Sequence, residues 1–407
     1  MATGNPLPLA GITVVSFEQA VAAPFATRQL ADLGARVIKI ERPGAGDFAR
    51  GYDETVNGLA SHFVWLNRGK ESVALDLKSA EGAEAARALC LRADVVVQNL
   101  APGAASRLGL GAEQLRAERP DLVHVSISGY GEAGPYADKK AYDLLVQCEA
   151  GLVSITGTPE TPSKVGISIA DIAAGMYAYT GILTALLRRQ QTGEGATVSI
   201  SMLEALGEWM GFPYYYANYG GTPPQRTGAT HAAIAPYGPV RCAGGEQVFL
   251  GVQNEREWAT LCEQVVGDPD LATDERFSRN SLRVANRDAL LERIEESVSS
   301  LPADEVADRL QRAGIANARL RTMAEFAEHP QLASRDRWRD IDTPNGQVMA
   351  LLPPANIDGL DPAMGGIPAL GAHTDAVLAE FGLAAPGSTG AESSAGSSGE
   401  KHRVVDE

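Results

Sequence analysis

Through roughly the first 200 residues, the apolar positions follow two alternating rhythms. Near-continuous apolar runs of strand character recur: ITVVSF from Ile12, RVIKIE from Arg36, SVALDL from Ser72, DVVVQNL from Asp94, LVHVSIS from Leu122 and TVSISM from Thr197. Between them lie stretches of helical spacing, such as APFATRQLADLG from Ala23, which Gly34 closes, and SAEGAEAARALCLRA from Ser79. Strands apolar on both faces and separated by helices predict an α/β fold whose parallel sheet is covered on both sides.

A long apolar helix is predicted to follow Asp171 and to end at RRQQTG, where Arg188 and Arg189 suit the helix dipole and Gly193 the stop. FPYYYANYGGTPPQRTG, from Phe212, concentrates Pro, Gly and Tyr and reads as a domain linker. The pattern then changes to a hairpin-like VRCAGGEQVFLGV and charged amphipathic helices such as ANRDALLERIEESVSSL. The expected organisation is a large domain over 1–215, a linker over 216–236 and a smaller α+β domain over 237–329. WRDIDTPNGQVMALL predicts a further hairpin turning at Asn345-Gly346 as a type I′ turn, and HTDAVLAEFGL from His373 a short helix. The Gly/Ser-rich and then charged segment 386–407 is expected to be disordered. There is no internal repeat of 20–50 residues.

Composition narrows the function classes. The chain has 407 residues, 44% hydrophobic and 21% charged, with a net charge of -16, which argues against nucleic acid or an anionic membrane as partner. No uncharged run is long enough to span a bilayer, and MATGNPLPLAG lacks the pattern of a signal peptide, so a cytoplasmic protein is expected. Cys90, Cys148, Cys242 and Cys262 stand far apart without a C-x-x-C pair, which disfavours a zinc site or disulfide framework. None of the six histidines falls in H-E-x-x-H, so no metal site is expected; His231 and His373 read as structural. No G-x-S-x-G elbow occurs.

Gly129–Gly134 reads GYGEAG and follows a strand, but Pro135 and the polar YADKK come next instead of an apolar helix. The helix N-terminus that would hold a pyrophosphate is missing, and a nicotinamide enzyme is not expected. Basic residues Arg42, Arg68, Lys70, Lys78, Arg107, Lys139 and Lys140 lie at or just beyond strand ends, where open α/β sheets bind ligands. A phosphate-bearing ligand fits such a set.

The run VGISIADIAAGMYAYTG from Val165 holds one charged side chain, Asp171. Burying an unpaired carboxylate is costly. Two readings account for it: an N-cap for the following helix, and an ionised, poorly hydrated carboxylate that attacks an activated acyl group.

VVSFEQAVAAPFATRQLADLGARVIKIERPGAGDFAR, LNRGKESVALDLKSAEG, VVVQNLAPGAASRLGL, SGYGEAGPYADKKAYD and PALGAHTD resemble the class III CoA-transferases, in order, over about residues 8 to 384. This family includes formyl-CoA, carnitine and succinyl-CoA-dependent dicarboxylate CoA-transferases and the related α-methylacyl-CoA racemases. The resemblance implies a Rossmann-like large domain to which segment 330–385 returns, and an interlocked homodimer. It implies Asp171 as nucleophile, contacts to CoA from Arg42, Lys78, Asn99, Arg107 and Lys140, and a cleft lined by Gln19, Val21, Leu75 and Tyr142. It further implies an acyl-CoA thioester and small carboxylic acids as substrates, with no tightly bound cofactor.

Two departures qualify the resemblance. Racemases carry a His-Asp pair in the segment that here reads KKAYD, with Tyr142 at the histidine position, which favours transfer over racemisation. Formyl-CoA transferases carry a run of glycines where this chain reads TGATHAAIAPYGP, which points away from formyl-CoA and oxalate. The reading is transfer of CoA from a small dicarboxylyl-CoA such as succinyl-CoA to a carboxylic acid through an aspartyl anhydride. Its rivals are a CoA-ester isomerase and a non-catalytic CoA-ester-binding protein.

Overall fold

The computed structural model describes residues 6–221 and 223–383, so the segment 386–407 expected to be disordered lies outside the described residues. Thr13–Phe17 (β1), Arg36–Glu41 (β2), Lys70–Ala74 (β3), Val95–Gln98 (β4), Val123–Ser128 (β5) and Thr197–Ser201 (β6) form one sheet. Every pairing is parallel and the order is β3-β2-β1-β4-β5-β6, so the chain reverses its direction of travel between β1 and β4. In such doubly wound sheets that reversal opens a crevice beyond the carboxyl ends of the strands.

The crossovers are Ala22–Asp32 (α1), Ser61–Leu66 (α2), Ala80–Cys90 (α3), Ala104–Arg107 (α4), Ala112–Glu118 (α5), Asp143–Glu149 (α6), Leu152–Ile155 (α7) and Ile169–Thr192 (α8). Met202–Trp209 (α9) and Gly211–Gly220 (α10) follow the last strand. Strand alternation distributes the apolar residues to both faces. Val14, Val37, Val95 and Val125 pack with α1 and α8, whereas Val15, Ile38, Val73 and Val96 pack with α3 and α5. Both faces are therefore buried, which is why these strands read as continuous apolar runs.

Helix α8 is the only described helix with the length and hydropathy to cross a membrane, and in this fold it packs against α1 and α9. Gly175 permits the close approach to α1: a Cβ there would lie 2.6 Å from the Ala22 carbonyl oxygen.

Tyr237–Arg241 (β7), Gln247–Gly251 (β8) and Ala316–Arg319 (β9) form a separate antiparallel sheet. With helices Arg287–Val298 and Ala303–Arg312 it encloses its own core around Trp258, Phe277 and Leu310. The chain then runs back along the large sheet: the Gly69 N–H donates to the Gly366 carbonyl and the Ala74 N–H to Thr374 Oγ1.

Two local expectations are corrected. The stretch from Phe212 is helical to Gly220, so residues 216–220 of the expected linker belong to α10. Pro213 sits in its first turn, where a missing N–H costs nothing. In the hairpin of Trp338–Thr343 (β10) and Gly346–Leu351 (β11), Thr343 pairs with Gly346, so the turn is Pro344-Asn345. Proline's fixed negative φ excludes the type I′ turn expected at Asn345-Gly346.

Candidate active site

The site begins where α8 starts. Asp171 is the third helical residue, not the cap; the N-cap is Ser168, which makes no side-chain bond. The capping acceptor comes from another element: Asp143 Oδ1 at the start of α6 receives the N–H groups of Ala170 (2.7 Å) and Asp171 (3.2 Å). The cap reading of Asp171 is thereby overturned. Its carboxylate is half-buried, burial together with the neighbouring Asp143 charge pushes it up to about 7, and no hydrogen bond lowers it. Desolvation and like charge thus outweigh the helix dipole, which does not hold the group fully ionised at neutral pH.

The facing loop leaves β1. Gln19 is held on three sides: its N–H donates to Asn99 Oδ1 (2.9 Å), its carbonyl accepts from Asn99 Nδ2 (3.0 Å), and its Oε1 accepts from the Phe48 N–H (3.1 Å). The last bond fixes the amide orientation and leaves the Gln19 NH₂ as a spare donor on a cleft-lining side chain. Ala20 adopts φ +61°, unusual for a residue other than glycine, and its N–H donates to Asp47 Oδ1 (3.0 Å). Asp47 is itself bound to the buried Lys39 ammonium (2.7 Å), part of a sealed network with Glu18, Asn67 and Lys70. This ionic network clamps the strained turn in place.

The turn and the start of α8 border one cleft of about 1330 Å³ beyond β1 and β4. It brings together Asp171, Gln19, Val21, Asn99, Lys140 and Tyr142 of the expected residues. The other four lie elsewhere. Leu75 is 1% exposed and packs in the core, because the strand register turns it toward α3, so its side chain does not line the cleft. Arg42, Lys78 and Arg107 are exposed outside the lining, with the Arg107 guanidinium on its own Pro102 carbonyl.

Two further basic residues are consumed internally: Arg68 clasps Asp32 (2.7 Å) and Lys70 binds Glu18 (2.6 Å). Lys139 pairs with Glu149 and lies 4.1 Å over the Tyr136 ring. GYGEAG forms bends without a following helix, in keeping with its reading as a loop. Cleft residues that the sequence did not single out are Asp143, Lys164 and an aromatic wall of Phe48, Tyr52, His62 and Trp65. Asp143 stands in the KKAYD stretch already noted, but the wall lies in irregular and short helical segments with no periodic signal.

A cleft at the reversal point of a doubly wound sheet, with the half-buried, unbonded Asp171 carboxylate on its wall, is where such folds bind their ligands. The chain belongs to CoA-transferase family III, whose sequence profile matches residues 9–374. It is 37% identical over 360 residues to an acetyl-CoA:oxalate CoA-transferase of Acetobacter aceti, covering 87% of this chain and 90% of that one. It is 33% identical over 384 residues to a succinate–glutarate CoA-transferase of Agrobacterium fabrum, covering 92% and 96%. Among solved structures, a CaiB/BaiF family protein of Brucella suis superposes with a TM-score of 0.82 at 33% identity, covering 93% of this chain and 100% of that one. The protein is therefore a CoA-transferase acting on CoA thioesters and carboxylic acids.

Proposed function

We propose that the enzyme transfers CoA between carboxylic acids through an acyl anhydride on Asp171, with a small dicarboxylyl-CoA such as succinyl-CoA as donor. The observation that carries this reading is the Asp171 carboxylate itself: in the cleft, half-buried, relieved of capping by Asp143, and bonded to no described side chain. Relatives named for oxalate, succinate and glutarate support the substrate class.

The steps balance without a further reagent. An Asp171 oxygen attacks the thioester carbonyl, the C–S bond breaks, and the CoA thiolate leaves behind a mixed anhydride. The thiolate attacks the aspartyl carbonyl, expels the donor acid as carboxylate and leaves an aspartyl thioester. The acceptor carboxylate attacks that thioester, and the released thiolate then takes the acceptor acyl group and frees Asp171. Activation is conserved throughout, so water must be excluded.

Backbone N–H groups at the start of α8 do not supply the oxyanion site, since those of Ile169, Ala170, Asp171 and Ile172 are all bonded internally. The spare NH₂ of Gln19 takes that role in this reading. In Asp171→Asn the amide forms no anhydride, so transfer is expected to fall by ~10⁴ or more while CoA still binds. Hydroxylamine added with acyl-CoA should trap Asp171 in the wild type alone. An Asn variant, checked for deamidation, that kept transfer within about tenfold would overturn the assignment. Deuterium exchange at Cα without an acceptor acid would reveal an isomerase instead.

A further inference from the structure

Phe48, Tyr52, His62 and Trp65 border the same cleft as Asp171, yet the steps above use none of them. The Tyr52 ring meets His62 edge-on, with centroids 5.4 Å apart at 87°, and Trp65 lies 6.5 Å from His62. His62 Nδ1 is buried with no hydrogen-bond partner. A sealed donor without an acceptor costs more than a sealed acceptor without a donor, so the ring proton belongs on Nε2. Nε2 is also the nitrogen left open on this cleft-lining residue.

Tyr52 presents a second donor. Burial, then the charges of Asp47 and Asp171, push its phenol above the ordinary value, so it keeps its proton throughout the neutral range. Tyr52 and Asp171 border the same cleft, so the phenol and the nucleophile can meet one bound ligand. Of the other polar groups on the rim, Lys139 is paired with Glu149, and Lys140 and Lys164 are exposed, as Tyr52 is.

We infer that His62 Nε2 and the Tyr52 hydroxyl form the specificity-determining pair that receives the second, unreacting carboxylate of a dicarboxylic acid while its first carboxylate engages the aspartyl group. The inference rests on the Asp171 reading above. Its physical ground is asymmetry. A second carboxylate fills both donors, whereas the methyl end of a monoacid offers them no acceptor, and a site built on polar donors disfavours a ligand that cannot satisfy them.

The test compares acceptor acids of equal length, glutarate against pentanoate and succinate against butanoate, with acetyl-CoA and succinyl-CoA as donors. The wild type should favour the diacid of each pair. His62→Phe, which keeps a packing ring and removes the donor, should lower kcat/KM for the diacids by about 10- to 100-fold and leave the monoacids nearly unchanged. His62→Gln, which restores a donor, should recover much of the diacid rate. Equal losses for both acid classes would mark His62 as merely structural and overturn the inference, as would an unchanged diacid preference in His62→Phe. Those outcomes leave the Asp171 reading standing; a wild type that transfers to no acid from either donor removes both.

Discussion

At the scale of single residues, Asp171 carries a conflict between stability and chemistry that pH exposes. Burial and Asp143 raise it to about 7 from an ordinary carboxyl value near 4, so the folded state holds this proton more tightly than the unfolded chain. Below about pH 4 both states are protonated and nothing is lost; as pH rises toward 7 the folded state bears a growing cost of ionising the site, complete above that value. Asp171→Asn should therefore match wild-type stability near pH 4 and exceed it at pH 8. Each kcal/mol relieved raises Tm by about 2–4 °C or less in a chain of this size. Transfer should run the opposite way, since only the carboxylate attacks: kcat/KM should climb about tenfold per pH unit below 7 and level off above. Thermal melts at the two pH values and a pH–rate profile check both; an Asn variant less stable than wild type at pH 8 would refute the stored cost. Asp171 was legible in the sequence because it is a lone charge in an apolar run. Arg68 and Lys70 were misread because only tertiary structure sets them against Asp32 and Glu18.

At the scale of elements, the start of α8 depends on a residue in another helix. Asp143 does two things there: its oxygen caps two N–H groups, and its charge raises the pKa of Asp171. Substitutions separate them. Asp143→Asn keeps an acceptor oxygen for the cap and removes the charge, so the midpoint of the pH–rate profile should move to lower pH. The move is partial, because burial, the larger cause, remains. Asp143→Ala removes the cap as well and should cost about 0.5–2 kcal/mol of stability. An Asn variant with an unmoved midpoint would mean that Asp143 acts on the helix alone. Local sequence reasoning sought the cap within a few residues of the helix, which is why it settled on Asp171; a cap supplied across a gap of 28 residues leaves no local signature. The six strands were legible for the converse reason. Helices cover both sheet faces, so the apolar signal is continuous and local. Helix α10 was lost because its Pro, Gly and Tyr content mimics a linker while its first turn tolerates Pro213.

At the scale of the whole molecule, the surface is as uneven as the cleft. Helix α10 and its neighbour α9 expose a band of large side chains, with Phe212 56%, Tyr215 62% and Tyr219 79% accessible. A chain of net charge -16 has ample polar residues to place there, and contiguous exposed aromatics of this kind mark an interaction surface. The interlocked homodimer implied by the sequence resemblance gives that surface an occupant, and we propose that a second copy covers it. Burying one such ring is worth about 1.5–3 kcal/mol, and several on each copy together work against the roughly 4–15 kcal/mol that association costs. Light scattering coupled to size exclusion should report twice the chain mass for the wild type. The double variant Tyr215→Asp, Tyr219→Asp places charges in the covered band and should shift the population to monomer with a lower Tm. Loss of transfer in parallel would mean that the cleft needs the second copy to exclude water from the anhydride. A double variant that remained dimeric would move the interface to another face, and one that became monomeric with full transfer would show that a single chain completes the site.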